Sequence, residues 1–229
     1  MNSPARLELA RLLQLASPAL PVGAYSYSQG LEAAVEAGTV RDADSARRWI
    51  ADVLNFSVAR LEAPLWRRLH AAWRGNDMAG VREWNDWFLC TRETAEMRAE
   101  TLQMGYSLRR LIAEIGEFDA AAVARLASLE EIAFPAAFTF AVNEWNIPVA
   151  DALAAYLWSW LENQVMAAVK AVPLGQTDGQ RLLAALSKDI IVISNDKSLY
   201  EAFMYSNYSH GLAISSSVHE TQYSRLFRS

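Results

Sequence analysis

The chain has 229 residues, 52% of them apolar and 21% charged, with a formal net charge of −5. That length can bury a sizeable core without disulfides or a structural metal, and the acidic balance argues against a protein that neutralises nucleic-acid phosphates. A single cysteine, Cys90, excludes an intrachain disulfide and points to a reducing, cytoplasmic setting.

In chain order, the first residues place Arg6, Glu8 and Arg11 among leucines, which reads as an amphipathic helix and not a secretory signal. No run of about 18 uncharged apolar residues follows anywhere, so a soluble protein without a membrane span is expected. The segment from Ser17 to Glu32 packs two prolines, Gly23, Gly30, Tyr25 and Tyr27 between helices. It reads as a turn leading into a helix capped by Ser26 or Ser28, although two tyrosines exceed what a turn needs. Ile50, Val53, Leu54, Ser57 and Leu61 form a helical stripe entered through Asp42 or Asp44. Pro64 should kink or break that helix, Gly75 should end its continuation, and Asp77 can cap the next one. Trp84, Trp87, Phe88 and Thr91 repeat the spacing, as do Leu108, Leu111, Ile112 and Ile115 before Gly116. The eight tryptophans lie mostly on such segments and supply core or a partner-binding face.

Ser128 and Glu131 have capping-box spacing for a short helix, and Pro135 suits the first turn of the next. After the Asn146-Ile147-Pro148 turn, Leu153, Tyr156, Leu157, Trp160, Leu161, Gln164, Val165 and Ala168 form a long stripe with apolar groups on other faces too. This helix should be central and should end at Pro173 and Gly175. Another runs from about Thr177 into the 190s, where Ile190–Ile193 also reads as a strand. Periodicity is lost after Ser194. The expected fold is therefore all-α, a single-domain bundle of roughly eight to ten helices over residues 1–208 with an irregular tail over 209–229.

No catalytic constellation stands out. His70, His210 and His219 are far apart, and zinc sites need closely spaced ligand pairs. His70 reads as a solvated or capping residue at a helix end. His219-Glu220 is the one metal-plausible pair, but adjacent side chains diverge. Gly175 to Gly179 lacks the lysine and hydroxyl of a phosphate loop, Glu130-Glu131 reads as a solvated helix start, and no nucleophile elbow or H-E-x-x-H occurs. No catalytic, cofactor or metal site is therefore expected. Lys170 suits a helix C-terminus, or with Gln176 flanks a partner-facing turn. Tyr223, Arg225, Leu226, Phe227 and Arg228 have the composition of interface anchors, either docked on their own domain or ordered by a partner.

Three blocks carry a resemblance: LPVGAYSYSQGLE (Leu20–Glu32); VMAAVKAVPLGQ (Val165–Gln176), preceded by Arg92-Glu93-Thr94 and Glu96; and HETQYSRLFRS (His219–Ser229). With them the sequence resembles the urease accessory protein F family, in the expected order along nearly the whole chain. The resemblance implies an all-helical protein without enzymatic activity or cofactor. It further implies binding to accessory protein D (also called H) and, through it, to a nickel-carrying GTPase, accessory protein G. A homodimer within that assembly would dock on apo-urease and pass nickel to its carbamylated-lysine site. Tyr25 and Tyr27 would then border the surface on which Tyr223, Arg225, Leu226, Phe227 and Arg228 are ordered by D, with Lys170 and Gln176 facing the GTPase. The chain departs from the family at Tyr27, where many members have histidine, and over Ile191–Ser216, which matches no expected block. The alternative reading is an all-helical enzyme with an unrecognised apolar pocket. Against it, no D-D-x-x-D run occurs and only His70 could serve a haem.

Overall fold

Helical periodicity is carried through into helix almost everywhere in the computed structural model, which describes residues 4–200 and 205–229. The α-helices are α1 (Pro4–Ala16), α2 (Leu31–Glu36), α3 (Ala43–Val53), α4 (Ala63–Arg74), α5 (Met78–Cys90) and α6 (Ala95–Glu114). They continue with α7 (Ala120–Ala127), α8 (Phe134–Glu144), α9 (Val149–Ala171), α10 (Gln176–Asn195) and α11 (His210–His219). A π-helical stretch, Leu54–Glu62, joins α3 to α4 as one rod, which leaves ten separate α-helical bodies and no strand among the described residues. None of those helices is long and apolar enough to cross a membrane.

Local signals account for most boundaries. Asp42, and not Asp44, caps α3 through a reciprocal box with Ser45: Oδ1 accepts from the Ser45 N–H at 2.8 Å, and Ser45 Oγ accepts from the Asp42 N–H at 3.1 Å. Asp77 caps α5 by accepting from the Gly80 N–H at 2.9 Å. Ile190 to Ile193 continue α10 as helix.

Other expectations are corrected. Pro64 does not break its helix. The preceding turns widen until the Ala63 N–H reaches the Val58 carbonyl five residues back, which accommodates a proline ring that would clash in a regular α-helix. Ser128 and Glu131 start no helix. Ser128 closes α7, its Oγ donating to the Arg125 carbonyl at 2.8 Å. The start of α8 is instead satisfied from other helices, with the Ala133 N–H on Asn85 Oδ1 at 2.9 Å and the Phe134 N–H on Thr101 Oγ1 at 3.1 Å. Glu130-Glu131 therefore lies in a connection, not at a helix start. Part of the stretch read as irregular, His210–His219, is helix α11. Residues 201–204, within that stretch, lie outside those described, as do Met1–Ser3 of the N-terminal reading.

The core is built around α9, which contacts α1, α2, α3, α4, α8 and α10. Nine consecutive residues of α8, Phe134 to Val142, are buried, because α4 covers one side and α6 the other. Trp66, Phe134, Phe138 and Tyr156 form a continuous ring cluster with centroid spacings from 5.2 to 6.5 Å. Gly105 lets α6 approach so closely that a Cβ there would collide with the Ile132 carbonyl. His70 belongs to this core and is not solvated: it is buried, stacked on Trp66 at 5.5 Å, and burial lowers its pKa to about 4. A 3.6-residue repeat places His70 one turn after Trp66, on the inward face.

Candidate functional site

The turn-rich segment and the C-terminal segment meet. Gly23 and Gly30 sit at φ 82° and 77°, bracketing a single 3-10 turn, Ala24–Ser26. These left-handed positions suit glycine, and the two tyrosines between them differ in exposure. Tyr25 is 65% exposed, whereas Tyr27 is only 5% exposed, with its pKa raised chiefly by burial despite Arg228 beside it. Gly30 is also where α11 crosses: a Cβ would stand 3.0 Å from the Ser216 backbone nitrogen.

Residues 221–229 form a strap that runs back over α2 and the start of α6. Ser229 ends it in a buried niche, its carbonyl oxygen accepting from the Ser28 N–H at 2.6 Å and from Ser28 Oγ at 2.5 Å. The Arg228 N–H donates to the Ser26 carbonyl at 2.8 Å. Glu32 accepts from the backbone N–H groups of Leu226 at 2.6 Å and Phe227 at 2.9 Å. Glu96 accepts from Arg225 Nη1 at 2.5 Å. His219, fully buried at the end of α11, places Nδ1 2.7 Å from Glu96 and Nε2 3.2 Å from Glu32. Glu220 accepts from the Glu96 N–H at 3.2 Å, a carboxylate set at the positive end of α6.

Several residues singled out from sequence come together here. Lys170, in the last turn of α9, places Nζ 6.0 Å from the Tyr25 ring and 5.7 Å from the Phe227 ring. Phe227 is buried beneath it, while Tyr223 and Leu226 are exposed. Gln176 is the exposed first residue of α10 and takes no part in the strap's hydrogen bonds. Glu32 and Glu96 escape a reading of the sequence for site residues, and His219 enters it only as half of the metal-plausible pair with Glu220. The only signal that joins the three is that all fall in or beside the family-like blocks, since no local pattern reveals that residues so distant pair up.

These elements lie within or flank residues 40–187, the segment that matches the UreF family. The chain is 60% identical to urease accessory protein UreF of Azoarcus sp. (strain BH72), over 97% of this chain and 96% of that one. It is 52% identical to urease accessory protein UreF of Dechloromonas aromatica (strain RCB), over 97% and 98% of the two chains. The chain belongs to the UreF family. In this UreF-family chain the strap, α11 and the Tyr25 turn all fall before residue 40 or after residue 187, yet the similarity to both relatives covers nearly the whole chain.

Beneath the Tyr25 turn lies a cavity of about 210 Å³. Its walls are mostly apolar, including Leu20, Met104 and Phe134, and its polar lining includes Glu62, Arg92, Glu100 and Tyr156. The π-helical stretch ends at Glu62, which accepts from Tyr156 Oη at 2.5 Å and Arg92 Nη1 at 3.1 Å. Glu100 accepts from Gln29 Nε2 at 2.8 Å and Ser229 Oγ at 3.2 Å, and burial raises its pKa to about 7. Burial also pushes the Tyr156 hydroxyl well above its usual range. Glu62 thus ties α9 to the connection before α6, and Glu100 ties the end of the turn segment to the strap, a support for the surface above them more than an acid/base pair. Among the described residues no group of three or more His, Cys, Asp and Glu side chains is placed to hold a metal ion.

Proposed function

We propose that this UreF-family chain is a non-catalytic scaffold for urease maturation. It binds accessory protein D (also called H) and, through it, the nickel-carrying GTPase accessory protein G. As a homodimer within that cytoplasmic assembly it docks on apo-urease and promotes nickel insertion. The observation that carries this reading is the strap, fastened from below by Glu32 and Glu96 while Tyr223 and Leu226 stand exposed above. Exposed aromatic and aliphatic side chains on a held segment are the anchors that interfaces use. Ile214 and Val218 on α11 and Tyr25 extend the same apolar character. Partner D consolidates the seating of the strap by covering these groups, and Lys170 and Gln176 face the GTPase.

Removing Glu220–Ser229 tests the proposal. The expected result is a chain that keeps its helical circular-dichroism signal but no longer co-purifies with D and G or activates urease in cells. Normal activation by the truncated chain would show that the strap is dispensable and would overturn the reading. Turnover of a small substrate by the isolated chain would favour the enzyme alternative, for which the cavity under Tyr25 is the place to look.

A further inference from the structure

Besides the buried Phe227 ring and the backbone bonds to Ser26 and Ser28, the strap is held by charged side chains in a place with little exposure. His219 has no exposed surface, and both ring nitrogens face carboxylates on different helices, Glu96 on α6 at 2.7 Å and Glu32 on α2 at 3.2 Å. A neutral imidazole has one N–H and one lone pair, so one of these approaches would set a lone pair against a carboxylate oxygen. Only the imidazolium donates to both. The local charge balance points the same way. Glu32 and Glu96 bring two negative charges, Arg225 brings one positive charge 2.5 Å from Glu96, and a protonated His219 brings the second. Glu220, on the Glu96 N–H, adds further negative charge at the rim. Glu100 lies one turn along α6 and reaches the strap through Ser229, and Arg228 stands beside Tyr27.

The two carboxylates that His219 neutralises are the same ones that hold the backbone N–H groups of Leu226 and Phe227 and the side chain of Arg225. We propose that His219 is the positioning residue of the strap, a proton-dependent clamp whose imidazolium ties α2 to α6 and whose deprotonation releases Arg225–Phe227. With the proton gone, two carboxylates face each other across a neutral ring with one cation left to balance them. The strap then leaves with Arg225 and lets water reach both. The consequence for partner recruitment rests on the proposed function, but the clamp itself does not.

Hydrogen–deuterium exchange of the C-terminal peptide in the full-length chain, corrected for the intrinsic pH dependence of exchange, reads the clamp directly. As pH rises from mildly acidic to alkaline, protection of the Leu226 and Phe227 amides in the wild type should fall about tenfold or more, as expected for losing charge-assisted hydrogen bonds. His219→Gln, which keeps polar atoms but no charge, should give weak protection that no longer varies with pH. Glu32→Gln combined with His219→Gln restores the charge balance and should recover part of the protection. Glu100→Gln should leave the wild-type slope in place, which separates the clamp from the other buried acid nearby. A flat wild-type profile, or a His219→Gln chain as protected as the wild type, would overturn the clamp. Should His219→Gln fail to fold, the wild-type and Glu100→Gln profiles still decide. Loss of the clamp with truncation still abolishing co-purification of D and G would leave the proposed function standing, and the reverse pattern would leave only the clamp.

Discussion

Two buried histidines mark two regions of this chain that solve the same problem in opposite ways. His70, on α4, is stacked on the Trp66 ring, its Nε2 has no hydrogen-bond partner, and its pKa falls to about 4 through burial and the nearby Arg74 and Arg67. Around His219, where α11 meets α2 and α6, both nitrogens have carboxylate partners and the surroundings are hydrogen-bonded at nearly every polar atom named above. The first region is held by apolar area removed from water, which is non-directional and cooperative with the whole core. The second adds to one buried ring, Phe227, a set of directional contacts: imidazole to carboxylate, guanidinium to carboxylate, and backbone hydrogen bonds. A core and a latch built within one bundle teach that burial alone does not say what a residue is for.

The largest effect should separate the regions by stability. Trp66→Ala removes a fully buried ring from the core and should cost about 3–5 kcal/mol in denaturant unfolding. Phe227→Ala removes a buried ring from the strap, and because the strap can fray locally the global cost should fall well below that of Trp66→Ala. Equal losses would mean that the strap belongs to the core, and the contrast would collapse.

A second experiment uses acid. His70 in the folded state titrates near 4, below its ordinary 6.5, so between those values the unfolded chain takes up a proton that the folded chain refuses. Stability from this residue is therefore lost as pH falls from about 6.5 to 4. Glu100 has the opposite sign: raised from 4.5 to about 7, it keeps its proton in the folded state after the unfolded chain has released it, and stability is lost as pH rises through that window. Each shift corresponds to roughly 3 kcal/mol, so the two slopes nearly cancel over the shared range. His70→Phe should unmask a protein that melts higher toward acid, and Glu100→Gln one that melts lower toward acid. Parallel profiles in the two variants would refute the assignment.

The smallest effect on stability should come from Lys170→Glu. An exposed cation near two rings contributes about 0.5–1 kcal/mol, so the melting temperature should move little. If Lys170 faces a partner, urease activation in cells should nevertheless drop sharply. Comparable loss of stability and activation would assign it to holding Phe227 instead.

Legibility from sequence followed the range of the interaction. The caps at Asp42 and Asp77, the end of α4 at Gly75 and the buried face of α9 were readable because each is settled within a turn or two of its own residues. Where a distant segment does the same job, local patterns misled. Ser128 and Glu131 have the spacing of a capping box, but Asn85 and Thr101 from other helices satisfy the start of α8. Pro64 reads as a kink or break, but the turns before it widen and the chain carries on as helix.

The site divides along the same line. Composition marked Tyr223, Arg225, Leu226, Phe227 and Arg228 as anchors, and turn residues marked Tyr25 and Tyr27, because size and chemistry belong to the residue itself. That Tyr25 is outside and Tyr27 inside was decided by two left-handed glycines and the segment that lies over them. His219 next to Glu220 looked like a poor metal pair; its real partners, Glu32 and Glu96, are 187 and 123 residues away. The sequence by itself determined the helices, since hydrogen bonding within a helix and the 3.6-residue repeat are local properties of the chain. Only the tertiary structure decided which carboxylate meets which imidazole, because a charge pair is chosen by where whole helices pack, and packing is settled by the buried surface of the entire core.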